Sequence, residues 1–264
     1  MKFQLDHDYH IHSQLSSCSR HPEQTPARLL QYAQEMGLSR ICITDHYWDS
    51  AVPGASRWYE PQNFDHIAKS LPLPRAEGVE FLFGCETDLD KHGTLGIPAS
   101  RFDDFDFVIV PTTHLHMKGF TLEDEDYCNT KRVAQLWVER FDLLLQKDLP
   151  FHKIGVAHLD CDLMNKASEA EFLRTLELIP TEEMERLFTK AAKLGCGIEL
   201  NTHFPPEQAE TRLRMYRVAR ACGCKFYFGS DAHGPDQFEE AVRFGKQLID
   251  LLDLTEDDKF YIGK

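Results

Sequence analysis

The chain has 264 residues, a length that suits one α/β domain of barrel size, and no Gly/Ser-rich or low-complexity stretch divides it, so it reads as a single domain over residues 1–264. Its formal net charge of -14 speaks against a general nucleic-acid binder, which needs a basic patch. No apolar run approaches the roughly 18–20 residues of a membrane span and the N-terminus lacks the apolar core of a secretory signal, so the expectation is a soluble cytoplasmic protein with no membrane partner.

Seven short apolar runs predict strands in chain order, within FQLDHDYHIH, RICITDH, VEFLFGCE, FDFVIVPTTH, KIGVAH, GIELN and KFYFGSDAH. Helical patterns lie between them. Thr25 followed by Pro26 predicts an N-cap and first turn, and Gly37 ends that helix. Between residues 130 and 147, Val133, Leu136, Trp137, Phe141, Leu144 and Leu145 recur at helical spacing. Thr181 reads as the N-cap of a helix that stops near Gly195, and further helices fit 206–222 and 235–252. The stretch 48–73 is rich in Pro and aromatics and predicts only a short helix near 64–70. Strands alternating with helices imply a parallel sheet. There is no Gly-rich dinucleotide loop and no Walker motif, which argues against a nucleotide cofactor and favours a closed barrel over an open doubly wound sheet. Seven runs rather than eight predict a distorted (β/α)7 barrel, TIM-like in architecture.

Each run ends in a potential metal ligand: His10 and His12, His46, Glu86, His114, His158, Asn201, then Asp231 and His233. In a parallel barrel the strand C-termini converge on one rim, where active sites sit. One residue class recurring at one structural position predicts a hydrolytic metal site. His10 and His12 are i and i+2 on a strand and so share a face. Glu86 is the candidate bridge between two cations, because a carboxylate has two oxygens and about four lone-pair directions. Asp45 could orient a ligand from behind. His114 is preferred to His116, being closer to its strand end. Gly229 and Gly234 would permit a tight turn beside Asp231 and His233. His7, His66, His92, His152 and His203 lack this positional logic and read as ordinary histidines. The eight cysteines form no CxxC pair and read as reduced and mostly structural.

The order HxH, TDH, a strand-terminal Glu and GSDAH resembles the PHP (polymerase and histidinol phosphatase) superfamily over nearly the whole chain. The resemblance implies a distorted seven-stranded β/α barrel holding two or three divalent ions, zinc, iron or manganese, at its C-terminal rim. It implies one ion on His10, His12, Glu86 and Asp231, a second on Glu86, His114 and His158, and a third on His46, His233 and one residue of the loop after the first motif. The family often has a His eight residues after the first His of HxH. Here that position is Cys18, in SSCSRHP, and a short insertion would restore His21 as the ligand, with Cys18 the alternative.

The implied chemistry is metal-assisted hydrolysis of a small phosphate monoester, with histidinol phosphate a candidate substrate and a cation-activated hydroxide as nucleophile. Asp231 or His233 would assist proton transfer, and Arg20 and Lys118 would hold substrate phosphate. A different amidohydrolase-type enzyme would want a Lys at a central strand end, and none of the seven runs ends in one. A phosphodiesterase or nuclease of the same superfamily is disfavoured by the acidic chain, and a catalytically silent binding protein by the near-complete ligand set.

Overall fold

The computed structural model describes residues 1–19, 21–201 and 204–263. Seven strands form one parallel sheet in sequential order: β1 (His7–Ile11), β2 (Arg40–Ile43), β3 (Glu80–Glu86), β4 (Phe107–Pro111), β5 (Ile154–Ala157), β6 (Gly197–Leu200) and β7 (Lys225–Phe228). The helices are α1 (Pro26–Met36), α2 (Phe64–Ile67), α3 (Thr130–Leu145), α4 (Glu169–Leu178), α5 (Thr181–Leu194), α6 (Ala209–Ala221) and α7 (Phe238–Leu251). Among the described residues no helix is long and apolar enough to cross a membrane.

The barrel closes irregularly at the β7–β1 seam. Near the rim, Asp231 N donates to His10 O (2.7 Å) and His12 N to Ala232 O (3.1 Å). Lower down, side chains of β1 replace its backbone. Phe228 N donates to His7 Nε2 (3.0 Å) and Ser230 N to Asp8 Oδ1 (2.9 Å). His7 and Asp8 are therefore buried sheet-closing groups, and here the barrel departs from regular strand pairing.

Two apolar cores flank the sheet. Residues facing the helices form the larger one, with Trp137, Phe141 and Phe188 meeting edge-on where α3 packs on α5. Inside the barrel, Tyr9, Phe107 and Tyr227 fill the lumen, and Phe260 of the C-terminal segment plugs its floor, 5.8 Å from the Phe107 ring. Gly155 on β5 is required by that filling, since a Cβ there would strike Phe107 and Tyr227. The lumen is packed, so only the rim can hold a ligand.

The sequence signals mark most helix ends correctly. Thr25 caps α1, accepting from Arg28 N at 3.2 Å, and Gly37 ends it in the left-handed conformation. Two expectations need correction. Thr181 is the first residue of α5, not its cap; Pro180 takes the cap position, and the Thr181 hydroxyl instead accepts from Arg214 Nη1 (3.1 Å). The helix α4 was not expected; Ser168 caps it, accepting from Glu171 N at 3.1 Å.

Candidate metal centre

The eight strand-end His, Glu and Asp positions that the sequence aligns on one rim come together there. His10 and His12 leave β1 with their Nε2 atoms 3.1 Å apart, both fully buried. Glu86 is the last residue of β3, and its backbone bridges to that of His46 beyond β2. Its carboxylate is the hub. Oε2 faces His46 Nδ1 (2.9 Å), His12 Nε2 (3.3 Å) and His10 Nε2 (3.5 Å). Oε1 faces His158 Nε2 (3.5 Å) and His114 Nε2 (3.8 Å). Asp231 repeats the pattern, with Oδ1 toward His12 (2.9 Å) and His10 (3.3 Å) and Oδ2 toward His158 (3.7 Å).

Two ligands leave their strands in the left-handed conformation, His158 at φ 60 and Asp231 at φ 53. Such backbone is uncommon outside glycine and costs on the order of 1–3 kcal/mol. Gly229 and Gly234 do not supply this turn, contrary to the sequence expectation, because neither takes a positive φ. Gly229 is needed for a different reason: a Cβ there would collide with Glu199 and His10.

Buried polar groups without partners test whether a cation belongs here. Both Glu86 oxygens and His46 Nδ1 are buried and make no hydrogen bond. Groups left this way cost about 1–3 kcal/mol each, more when charged, unless something else satisfies them. Three clusters bring their donor atoms within 4.8 Å of one another: His10, Glu86 and His158; His10, His12 and Asp231; and His12, His46 and His233. Mixed imidazole and carboxylate donors suit zinc, iron or manganese. The residues fit divalent metal.

Charge is arranged to match. Burial works against the Glu86 anion, but the fields of His46 and His10 hold its carboxyl well below the usual range. Asp231, only partly covered, is desolvated in the same way, and His10, His233 and His158 hold it well below the usual range. Burial alone would lower His12, yet the adjacent Asp231 and Glu86 carboxylates push it up to about 9. His158 also reaches about 9 against burial, through Glu199 and Asp231. His46 and His233 go the other way; burial lowers both, and His233 falls to about 4.

An outer layer orients the imidazoles. His10 Nδ1 donates to Glu199 Oε1 at 2.5 Å, leaving Nε2 free as a donor atom for metal. His12 Nδ1 donates to Ser16 Oγ (2.9 Å), whose hydroxyl donates to Asp45 Oδ1 (2.7 Å). Asp45 also accepts from Ser13 Oγ at 2.7 Å, so it acts on the ligands through two serines. His114 Nδ1 donates to Asp88 Oδ2 (3.1 Å) and His233 Nδ1 to Asp231 O (2.7 Å). Glu199 and Asp88 were not anticipated. The signal for Glu199 was present: it is the one charged residue inside the apolar run GIEL.

Other expectations fall outside the cluster. His21 is exposed, with Nδ1 accepting from Glu23 N at 3.3 Å, and it joins none of the three clusters. Cys18 stands nearer, its Sγ 2.9 Å from His233 Nε2. Asn201 lines the polar side of the cleft. Lys118 also lines the cleft, with Nζ 4.0 Å over the Tyr127 ring, and Arg20 and His203 lie outside the described residues. His116 lines the cleft beside His114; burial lowers it to about 4, and its Nδ1 has no partner.

The cleft has two lobes that meet at His158 and Asp231. One, about 460 Å³, is walled by Trp58, Tyr59, Met117 and Phe120. Trp58 sits edge-on to His46 with ring centroids 4.8 Å apart. The other, about 560 Å³, carries more polar side chains, among them Asn165, Lys166, Gln208 and Arg212. Arg212 is fixed by Asp160 (Nη2 to O, 2.8 Å) and flanked by Phe172 and Phe204.

A packed parallel barrel with imidazoles and carboxylates gathered on its C-terminal rim is the architecture of a metal-dependent hydrolase. The chain matches the PHP domain family over residues 8–203, and it belongs to that family. It is 27% identical to a probable phosphatase of Thermoanaerobacter sp. (strain X514), over 97% of this chain and 89% of that protein. It is 26% identical to a probable histidinol-phosphatase of Deinococcus radiodurans, over 94% of this chain and 93% of that one. In fold it is similar to the histidinol phosphate phosphatase of Lactococcus lactis subsp. lactis Il1403, solved with zinc, L-histidinol and phosphate, with a TM-score of 0.60, 19% identity, and coverage of 92% and 94%.

Proposed function

We propose that the chain hydrolyses a small phosphate monoester at this rim, with histidinol phosphate the first substrate to try. It is a metal-dependent phosphoesterase of the PHP family. The observation that carries the reading is the Glu86 carboxylate, whose two oxygens face separate sets of imidazoles, as a ligand shared by two cations must. Divalent ions bound here, two or three of zinc, iron or manganese, supply Lewis acidity toward water and toward the phosphoryl oxygens.

The chain's own residues do the rest. His10, His12, Glu86, His114, His158 and Asp231 would hold the ions of the shared pair, and His46 and His233 would hold a third. Asp231 and His233 are 28% and 26% exposed at the side chain, while the other ligands are almost fully covered. They are the two groups within reach of both substrate and solvent, so proton movement at the ester oxygen falls to them. Asp231, anionic, would take the proton released by the attacking water and pass it to the leaving ester oxygen, while His233, whose Nδ1 already donates to Asp231 O, would keep Nε2 for an ion and steady that carboxylate. Lys118 and, by its place in the sequence, Arg20 are the cations for substrate phosphate. Trp58, Tyr59, Met117 and Phe120 receive a leaving group with a flat apolar face such as an imidazole. All eight cysteines are unpaired, which suits a reducing, cytoplasmic setting.

The test is phosphate release by zinc- and manganese-loaded protein across histidinol phosphate, phenyl phosphate and glycerol phosphate. Preference for the ring-bearing esters supports the reading, and Trp58→Ala should raise KM for those esters while leaving that for glycerol phosphate nearly unchanged. Hydrolysis of no monoester by metal-loaded protein overturns it.

A further inference from the structure

The third cluster, His12, His46 and His233, has only imidazole donors. A site of this kind ordinarily takes four ligands when it holds zinc. His12 also contacts Asp231 at 2.9 Å and so is already engaged with the neighbouring cluster. That leaves His46 and His233 short of donors on the side that faces the cleft. Two independent features mark this side as a ligand position. His46 is over nine-tenths buried, and its Nδ1, aimed into the centre, has no hydrogen-bond partner. Cys18 Sγ lies 2.9 Å from His233 Nε2 and lines the same lobe of the cleft.

The loop that carries Cys18 is anchored on the centre. Ser16 Oγ accepts from His46 N at 3.1 Å, and Ser19 Oγ donates to His233 O at 2.8 Å. The segment around Cys18 is thus fastened to both His46 and His233, with the thiol itself against His233. The alternative donor from the same loop, His21, is exposed and occupied by Glu23 N.

We propose, resting on the metal-centre reading above, that Cys18 ligates the third ion as a thiolate, and that this gives the chain one sulfur-bearing site beside an all-nitrogen-and-oxygen pair. On binding, the thiol proton leaves to solvent and the sulfur lone pair takes the cation; no redox partner is involved. Sulfur favours zinc or cobalt over manganese, while the imidazole–carboxylate pair discriminates less. The centre is then built for two classes of ion at once.

Cobalt is the probe. Protein stripped with a chelator and reloaded with Co(II) should show a sulfur-to-cobalt charge-transfer band in the near ultraviolet that grows with the last ion to bind. Cys18→Ser should abolish the band and lower the affinity of that ion by more than the roughly 10–100-fold that losing an outer-shell partner costs. His21→Ala should keep both the band and the ion count. Mass spectrometry gives a second reading: zinc should protect Cys18 from iodoacetamide, and manganese should not. A fully loaded cobalt protein without the band, or loss of the third ion in His21→Ala but not in Cys18→Ser, overturns the assignment. Phosphate release by the wild-type protein is read separately, so failure of the sulfur ligand and failure of the phosphatase reading are told apart.

Discussion

Glu199→Gln is the sharpest test of how the centre is held. Glu199 is buried at 3% exposure on β6 and accepts two donors, His10 Nδ1 at 2.5 Å and His158 N at 3.2 Å. Glutamine keeps the shape but offers one oxygen and one NH2 group. Its amide must therefore turn an N–H toward one of the two donors, and one hydrogen bond is lost. The surviving bond loses its charge assistance as well. A bond to a charged group is worth about 1.5–3 kcal/mol. Loss of such outer-shell support typically weakens metal binding or activity about 10–100-fold, which is about 1.4–2.8 kcal/mol. The two routes agree, so the zinc affinity of Glu199→Gln should fall by a factor in that range. Competition with a chromogenic chelator reads the affinity, and phosphate release at saturating metal reads activity. Circular dichroism should show an intact fold, since packing is unchanged. A variant that folds and binds zinc within about twofold of wild type would refute the claim that Glu199 sets the His10 donor.

Three further outcomes follow from the same geometry. Glu86→Ala should lose at least one ion by elemental analysis and more than about 100-fold in phosphate release, because the bridge outranks any outer partner; retained ion count and turnover would remove Glu86 from the centre. Metal binding should release protons. His12 and His158 stand at about 9 in the metal-free protein, above the ordinary 6.5, so both carry protons at neutral pH that ligation must displace. Zinc affinity should rise between pH 6 and 9, and calorimetry in buffers of different ionisation enthalpy should count the protons. The raised values also stabilise the chelated fold fully below pH 6.5 and lose that effect as pH rises through about 9. Melting of the chelated protein should therefore fall across that window, and a flat profile would contradict the assignment. Arg140→Met should cost stability rather than chemistry. The buried guanidinium donates to Leu89 O, Asp90 O, Thr112 O and Thr121 O at 2.7–3.2 Å, tying together the loops after β3 and β4. Its loss should cost about 3–5 kcal/mol and lower the melting temperature by about 10 °C; an unchanged melting curve would show the loops hold themselves.

The barrel and its ligands were readable because a parallel strand ends at the same height as its neighbours. Any residue that follows an apolar run is thus delivered to one rim, and a His or Glu there needs no further coordinates. What the sequence hides is what lies sideways. Glu199 sits within a run, two residues before the Asn201 that the strand-end rule selects, and its role shows only when β6 is laid between His10 and His158. His7 reads as ordinary, and Asp8 draws no reading at all, because nothing local says that their side chains replace backbone at the seam. The stretch from Trp48 to Leu73 has no period because its order comes from single bonds, such as Trp48 N to Gln62 O (2.9 Å) and Ser17 N to Gln62 Oε1 (2.8 Å), that join distant loops. That stretch supplies Trp58 and Tyr59, two of the three aromatic rings that wall one lobe of the cleft. Cys18 and His21 were a choice between two nearby donors, and only the path of the loop separates them.

The left-handed turns at His158 and Asp231 bear on how fast ions come and go. Each is clamped by its own backbone N–H, His158 to Glu199 Oε2 and Asp231 to His10 O. The donors are therefore in place before an ion arrives, and no loop has to fold around it. Exchange at this rim should be limited by the shedding of water from the incoming cation, so a slowly dehydrating ion will load late however tightly it is finally held.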